Sequence, residues 1–154
     1  MQTAGDLLWR VNNEYRKRLA QAQTFLDLLE QMVLAGSGGQ HQHTLHAIHY
    51  VREQIEVLVE EHRDWRRDYY YESPETKRMV QQNRSINRAL SRFSRMHTHH
   101  ESRLHDLYVI LNEVVRPHPD VTRVPSGDLW EMSQFALYDL IEFNDYLAQY
   151  TQAG

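Results

Sequence analysis

The distribution of hydrophobic positions along the chain predicts four helices and no strand. In the second of four long segments, apolar and aromatic residues return at alternating spacings of three and four, as in a helix packed lengthwise on others. The positions are Ile48, Val51, Ile55, Leu58, His62, Trp65 and Tyr69. No segment shows the strict alternation of apolar and polar residues that is typical of a half-buried strand.

The same spacing extends over a longer third segment and is present in the first and last segments. In the third segment the positions are Met79, Asn83, Ile86, Leu90, Phe93, His97, His100, Leu104, Leu107, Leu111 and Val114. In the first segment they are Leu8, Val11, Tyr15, Ala22, Phe25, Leu29 and Met32. In the last segment they are Leu129, Met132, Ala136, Leu140, Phe143 and Leu147. Each segment therefore predicts an amphipathic helix.

Glycine and proline fall between these segments. The breaks are a flexible turn at Ala35 to Gly39, a helix start at Ser73 and Pro74, and a proline-rich connection from Arg116 to Asp128. Short connections force consecutive helices to run in opposite directions. We therefore expect an all-α, antiparallel up-down-up-down four-helix bundle with long helices, formed by residues 1–154 as a single domain.

The predicted helices differ in length. The third, at about Glu75 to Arg116, is longer than the second, at about Gln40 to Tyr71, and much longer than the fourth. Part of the surface of the third helix is then left uncovered by its neighbours. A second copy of the chain can cover such a surface, so we expect a homo-oligomer or another protein partner.

Composition narrows the class of protein. Hydrophobic residues make up 41% and charged residues 25% of the 154 residues, as in ordinary folded domains. The chain has no cysteine, which excludes disulfides, thiolate metal sites and cysteine nucleophiles. There is no apolar run of membrane-spanning length and no secretory signal, so we expect a cytoplasmic protein without membrane contact.

Charge is divided unevenly along the chain. Thr76 to His100 carries basic residues and no acid, whereas Ser126 to the end carries acids and no lysine or arginine. Arginines of the third and second helices form a predicted basic stripe for nucleic acid or a protein partner: Arg84, Arg88, Arg92, Arg95, Arg63, Arg66 and Arg67. Nearby acids, among them Asp64 and Asp68, offer the alternative that the arginines form ordinary surface ion pairs.

Four of the ten histidines lie between Met96 and Asp106. Histidine and carboxylate residues one helical turn apart can share a metal ion. The candidate ligands of a divalent transition metal such as Zn or Fe are His97, His100, Glu101, His105, His49 and Glu53. A turn at Ser73 would place His49 opposite His97. The alternative for His97 and His100 is a pair of neutral, hydrogen-bonded histidines in a partly polar layer of the core.

These patterns favour a non-enzymatic helical-bundle module for protein–protein interaction, one that associates with its own copies. The alternatives are a histidine and carboxylate metal-binding bundle and a nucleic-acid-binding bundle. Arg103 to Asp106 also resembles, over four residues, the histidine box of sensor kinases, but no glycine-rich ATP-binding segment follows. No serine lies in a Gly-x-Ser-x-Gly setting, and no catalytic residue is assigned.

Overall fold

The computed structural model describes residues 4–35, 42–69, 83–118, 121, 126–143 and 145–146. The four helices are α1 Ala4–Ala35, α2 Gln42–Tyr69, α3 Asn83–Ile110 and α4 Ser126–Ile141. A π-helical turn, Leu111–Val115, continues α3. These ranges contain no strand, which confirms the all-α class, and the helices pack as in a four-helix bundle. The predicted turn at Ala35 to Gly39 and the helix start at Ser73 lie largely outside the described residues.

Contacts between neighbouring helices join residues in opposite chain order. Arg52, in the first half of α2, forms ion pairs with Asp27 and Glu30 near the end of α1. Farther along α2, the ring of His62 packs on Tyr15, which lies earlier in α1. As α2 advances, its contacts on α1 therefore move backwards, as they do between antiparallel helices.

Helix α4 packs on α1 in the same manner. The hydroxyl of Ser133 donates to the carbonyl of Phe25 at 3.3 Å, and Asp139 accepts from Arg18 at 3.0 Å. Contacts of α4 with α3 bring His97 within 3.3 Å of the carbonyl of Leu140. The first, third and fourth helices thus meet at the level of Arg18, His97 and Leu140, where the Tyr15 ring also packs against His97.

The predicted core positions are confirmed for most of α1, α2 and α3. In α2, Tyr69 is partly buried and all the other predicted positions are buried. In the last segment, Ala136, Leu140 and Phe143 are buried as predicted, but Met132 is 50% exposed, and the inward side also includes Trp130, Ser133 and Leu137. The last helix is rich in apolar residues on more than one side, so periodicity alone misplaced Met132.

The π-helical turn moves the core positions at the end of α3 by one residue. The amide of Arg116 donates to the carbonyl of Leu111 at 2.9 Å, five residues earlier. A π turn holds one more residue than an α turn. The buried residue after Leu111 is therefore Val115, and the predicted Val114 is only partly buried.

The predicted level of α2 against α3 was wrong. A turn at Ser73 pairs His49 with His97 and, by the same arithmetic, His46 with His100. In the structure Glu61 lies opposite His100, and its carboxylate is 2.8 Å from the imidazole Nε2. Trp65 donates its indole N–H to the carbonyl of Ala89 at 3.0 Å. The two helices are thus offset by about two to four turns from the expected pairing. The expected pairing was calculated from a tight turn centred at Ser73, and this assumption fixed the wrong register between α2 and α3.

Candidate functional site

A cluster of aromatic and imidazole rings fills the core between all four helices. We call it the Tyr15 cluster, because the Tyr15 ring contacts five of the others at centroid distances of 5.0 to 5.9 Å. Its members are Tyr15, His62, Trp65, Phe93, His97, His100 and Phe143. Each of the first six lies on the inward side of its helix and Phe143 follows the end of α4, so amphipathic spacing accounts for their burial, while the level at which the helices pack brings the rings together.

A chain of hydrogen bonds runs from this cluster to the surface. The Tyr15 hydroxyl lies 2.6 Å from Nδ1 of His100, and Nε2 of His100 lies 2.8 Å from a carboxylate oxygen of Glu61. Arg103 donates to the other oxygen of Glu61 at 3.3 Å. A carboxylate only accepts, so Nε2 of His100 carries the proton and Nδ1 accepts from the Tyr15 hydroxyl. The Tyr15 hydroxyl and both ring nitrogens of His100 thus each have a hydrogen-bond partner.

The other two histidines of the Tyr15 cluster have different partners. Nε2 of His97 donates to the carbonyl of Leu140 at 3.3 Å, which ties α3 to α4. The ring of His62 stacks on Trp65 at 5.6 Å, but its Nε2 has no hydrogen-bond partner within the described residues. His62 thus contributes to the core mainly as a flat ring.

Burial keeps these groups neutral. Desolvation, assisted by the nearby Arg66, His100 and Arg16, lowers the pKa of His62 from 6.5 to about 3. Desolvation also lowers the pKa of His100, and the hydrogen bond to Glu61 only partly opposes that effect. Burial and the charge of Glu61 raise the pKa of Tyr15. All three groups are therefore uncharged near neutral pH.

The chemistry open to this hydrogen-bond chain is limited by access. Tyr15 and His100 are both 0% exposed, and only Glu61 and Arg103 reach solvent. A general acid or base must lie within hydrogen-bond reach of a substrate. Among the described residues, the carboxylate of Glu61 covers Nε2 of His100 and the Tyr15 hydroxyl covers its Nδ1, so the hydrogen bonds join the helices and present no free imidazole nitrogen to solvent.

The predicted metal ligands are distributed over separate places. His97 and His100 are in the Tyr15 cluster, Glu101 is partly buried and His105 is exposed on α3. His49 and Glu53 form an exposed pair at 3.0 Å on α2. His49 lies twelve residues, about 18 Å of helix, before the position that faces His100. Within the described ranges, no three histidine or carboxylate residues are placed to hold one ion.

The predicted arginine stripe divides into two parts. On α2, Arg63 pairs with Glu60 at 3.7 Å, and Arg67 lies within 3.4 Å of both Asp64 and Asp68. Arg66 also has an interaction partner. On α3, Arg88, Arg92 and Arg95 are exposed, and Arg92 lies over the Tyr69 ring at 5.9 Å. The side chain of Arg84 lies outside the described residues.

A second surface feature does not follow from the sequence pattern. Met132, Phe135 and Tyr138 lie three residues apart on α4 and are 50%, 66% and 48% exposed. We call this stripe the α4 face. Of the three, only Met132 is among the positions singled out by the spacing, and there it is predicted as a core residue. The spacing of three is visible in the sequence, but the competing inward stripe of α4 has the same apolar character.

A groove of about 610 Å³ runs beside the α4 face, between α4 and the end of α3. Its lining is mostly aromatic: Tyr108, Arg116, Trp130, Glu131, Gln134, Phe135 and Tyr138. Gln134 donates to the Tyr108 hydroxyl at 2.9 Å, and the rings of Tyr108 and Tyr138 are 6.4 Å apart. These contacts hold two of the four aromatic side chains in place.

No family model matches the chain, and no curated protein or solved structure is significantly similar to it. None of the helices in the described ranges combines the length and the apolar character required to cross a membrane. The assignment of function therefore depends on the geometry of the Tyr15 cluster, the arginines of α3 and the α4 face.

Proposed function

We propose that the protein is a non-enzymatic helical-bundle module that binds other polypeptides and assembles with its own copies. The observation that carries the proposal is the α4 face, where three large apolar side chains lie largely in water beside an aromatic groove. Contiguous exposed apolar patches of this kind mark interaction sites. The closed Tyr15 cluster supports the non-enzymatic part, because its titratable groups are out of reach of a substrate.

The chemistry of the α4 face favours a basic amphipathic helix as its partner. The chain has no lysine or arginine after Ser126, so the α4 side of the groove is acidic at Glu131, and Arg116 is the one cation among the described residues of the lining, on the side that follows α3. At the end of α4, a hydrogen bond between the Glu142 and Asp145 carboxyl groups raises the pKa of Glu142, as expected where negative charges crowd together. Apolar anchors at helical spacing would fit the groove, and flanking lysines or arginines would meet the acids and the aromatic rings.

A selection from random peptides tests the docking site directly. Wild-type protein is used to enrich a random peptide library, and peptides that also bind the Phe135→Ser variant are removed. We expect the remaining peptides to combine apolar residues spaced by three and four with a positive net charge. By fluorescence anisotropy they should bind the variant at least about tenfold more weakly.

A matched control is Val57→Ser, which removes another exposed apolar side chain, from α2, and should leave peptide binding unchanged. Circular dichroism verifies that both variants fold. If no peptide distinguishes the wild type from the Phe135 variant, or if the selected peptides are acidic, the proposed docking site is wrong.

A further inference from the structure

The outer face of α3 carries a second seam of regularly spaced residues, opposite the seam that enters the core. Every residue of this outer seam is exposed, and the spacing alternates between four and three from end to end. The residues are Arg88, Arg92, Arg95, His99, Ser102, Asp106, Val109 and Glu113. Such spacing aligns side chains along one side of a helix, as at the contact line of two long packed helices.

The charges of the outer seam are arranged so that the seam complements itself. The midpoint lies between His99 and Ser102. Arg95 and Asp106 lie at equal distances on the two sides of this midpoint, and so do Arg88 and Glu113. If a second copy of α3 is turned end for end, each arginine of these two pairs meets a carboxylate. A parallel copy would place arginine against arginine.

The four charges of these two pairs have no ion-pair partner in the part of the chain that the structure describes. Among the described residues, no carboxylate lies within ion-pair distance of Arg88 or Arg95, and no basic group lies within that distance of Asp106 or Glu113. Arginines on other helices behave differently. Arg18 pairs with Glu14 and Asp139, for example.

We propose that two copies of the chain pair through the outer seam of α3, antiparallel and around a two-fold axis between His99 and Ser102. The inference rests on the assembly half of the proposed function and names its surface. Arg88 meets the second copy's Glu113, and Arg95 meets the second copy's Asp106. Arg92 lies against the second copy's Val109, where its aliphatic stem covers apolar surface. The symmetry forms every contact twice.

Charge in this interface sets orientation more than strength. Exposed ion pairs are individually weak, but complementary charges select the antiparallel pairing and reject the parallel one. Added salt should weaken the dimer, because solvent-exposed pairs are screened. Of the two residues that flank the axis, Ser102 has a small side chain, which helps the two helices to approach each other.

A second copy of the chain suits this surface better than nucleic acid. The three arginines share their seam with Asp106 and Glu113, which would lie toward the phosphates of any strand that followed α3. A site that neutralises phosphates gains affinity from each cation and loses it through each anion on the same track. Only a partner with arginines at one end and carboxylates at the other can place an opposite charge against both halves of the outer seam.

Charge reversal with mutual rescue tests the pairing. One variant carries Arg88→Glu and Arg95→Glu, and the other carries Asp106→Arg and Glu113→Arg. We expect sedimentation velocity to show dimeric wild type, and each variant alone to dimerise roughly tenfold or more weakly because like charges face each other twice. An equimolar mixture of the two variants should recover the dimer, because all four pairs are again complementary. The matched control, Arg63→Glu with Arg67→Glu, makes the same charge change on α2 and should leave the dimer intact.

The outcomes separate this inference from the function on which it rests. A wild type that is monomeric at all concentrations overturns the pairing and the assembly half of the proposed function, while peptide binding by the α4 face stands or falls separately. A dimer that survives both charge reversals overturns only the use of the outer seam. Failure of the mixture to dimerise overturns the antiparallel register. Monomeric wild type that binds oligonucleotides, with loss of binding on Arg88→Glu and Arg95→Glu, would assign the arginines to nucleic acid instead.

Discussion

Acidification from neutral pH toward pH 4 is expected to lower the free energy of unfolding steeply. His62 and His100 are neutral in the folded core, where their pKa values lie below the ordinary 6.5. Between 6.5 and the lowered values, the unfolded chain binds protons that the folded chain does not bind. The contribution of the two neutral histidines to the free energy of unfolding is therefore complete above pH 6.5, and it is lost as the pH falls below 6.5. The slope is about 1.4 kcal/mol per pH unit for each histidine.

Urea unfolding followed by circular dichroism at a series of pH values measures this slope. His62→Phe keeps a flat ring against Trp65 and Phe93 and should remove about half of the slope. Val57→Ser, which changes an exposed residue of the same helix that does not titrate, should leave the slope as it is. A wild type whose stability is constant between pH 6.5 and pH 4, or a His62→Phe variant with an unchanged slope, would contradict the neutral buried histidines.

Replacement of His100 by leucine is expected to cost about 2 to 4 kcal/mol of unfolding free energy, because the change leaves the buried Tyr15 hydroxyl without an acceptor. Sequence spacing alone favours leucine as a tolerated or stabilising residue here. The hydrogen bond to Tyr15 reverses that expectation.

A double-mutant cycle isolates the contribution of the Tyr15 hydroxyl. Tyr15→Phe combined with His100→Leu removes both hydrogen-bonding partners, so the double variant should be more stable than the sum of the single changes predicts, by about 1 to 3 kcal/mol. Chemical denaturation of the four proteins gives this coupling energy. If the two changes are additive, the bond between Tyr15 and His100 does not contribute as described.

Much of the core could be predicted from the sequence, because inward positions of a helix recur at fixed spacing. Tyr15, His62, Phe93 and His97 were each assigned to an inward stripe, and all are buried. Their common level could not be predicted, since it depends on the length and shape of the connection between α2 and α3. The error at that connection placed His49 opposite His97, although Glu61 is the residue that faces the His100 side of α3.

The surface features were harder to predict from spacing. The arginines of α3 were identified as a stripe, but the acids that complete their seam, Asp106 and Glu113, lie beyond the basic segment and were not connected with it. The exposed face of α4 was missed because Met132 shares its spacing with true core residues. In both cases the deciding information is which side of a helix is covered by the other helices, and that is a property of the packed molecule.

The distance between labels on two copies of α3 is the measurement that tests the assembly most directly. The chain has no cysteine, so Ser91→Cys and His105→Cys each provide one unique position for a spin label, on an exposed residue outside the outer seam. Antiparallel pairing about the proposed axis puts the two His105 positions about 16 Å apart and the two Ser91 positions about 30 Å apart, from ~1.5 Å of rise per residue and ~9 Å between helix axes. Strong dipolar broadening for the label at position 105, with a long distance for the label at position 91, is the predicted result. Equal distances at the two positions, as in a parallel pair, or no intermolecular coupling at either one, would contradict the account.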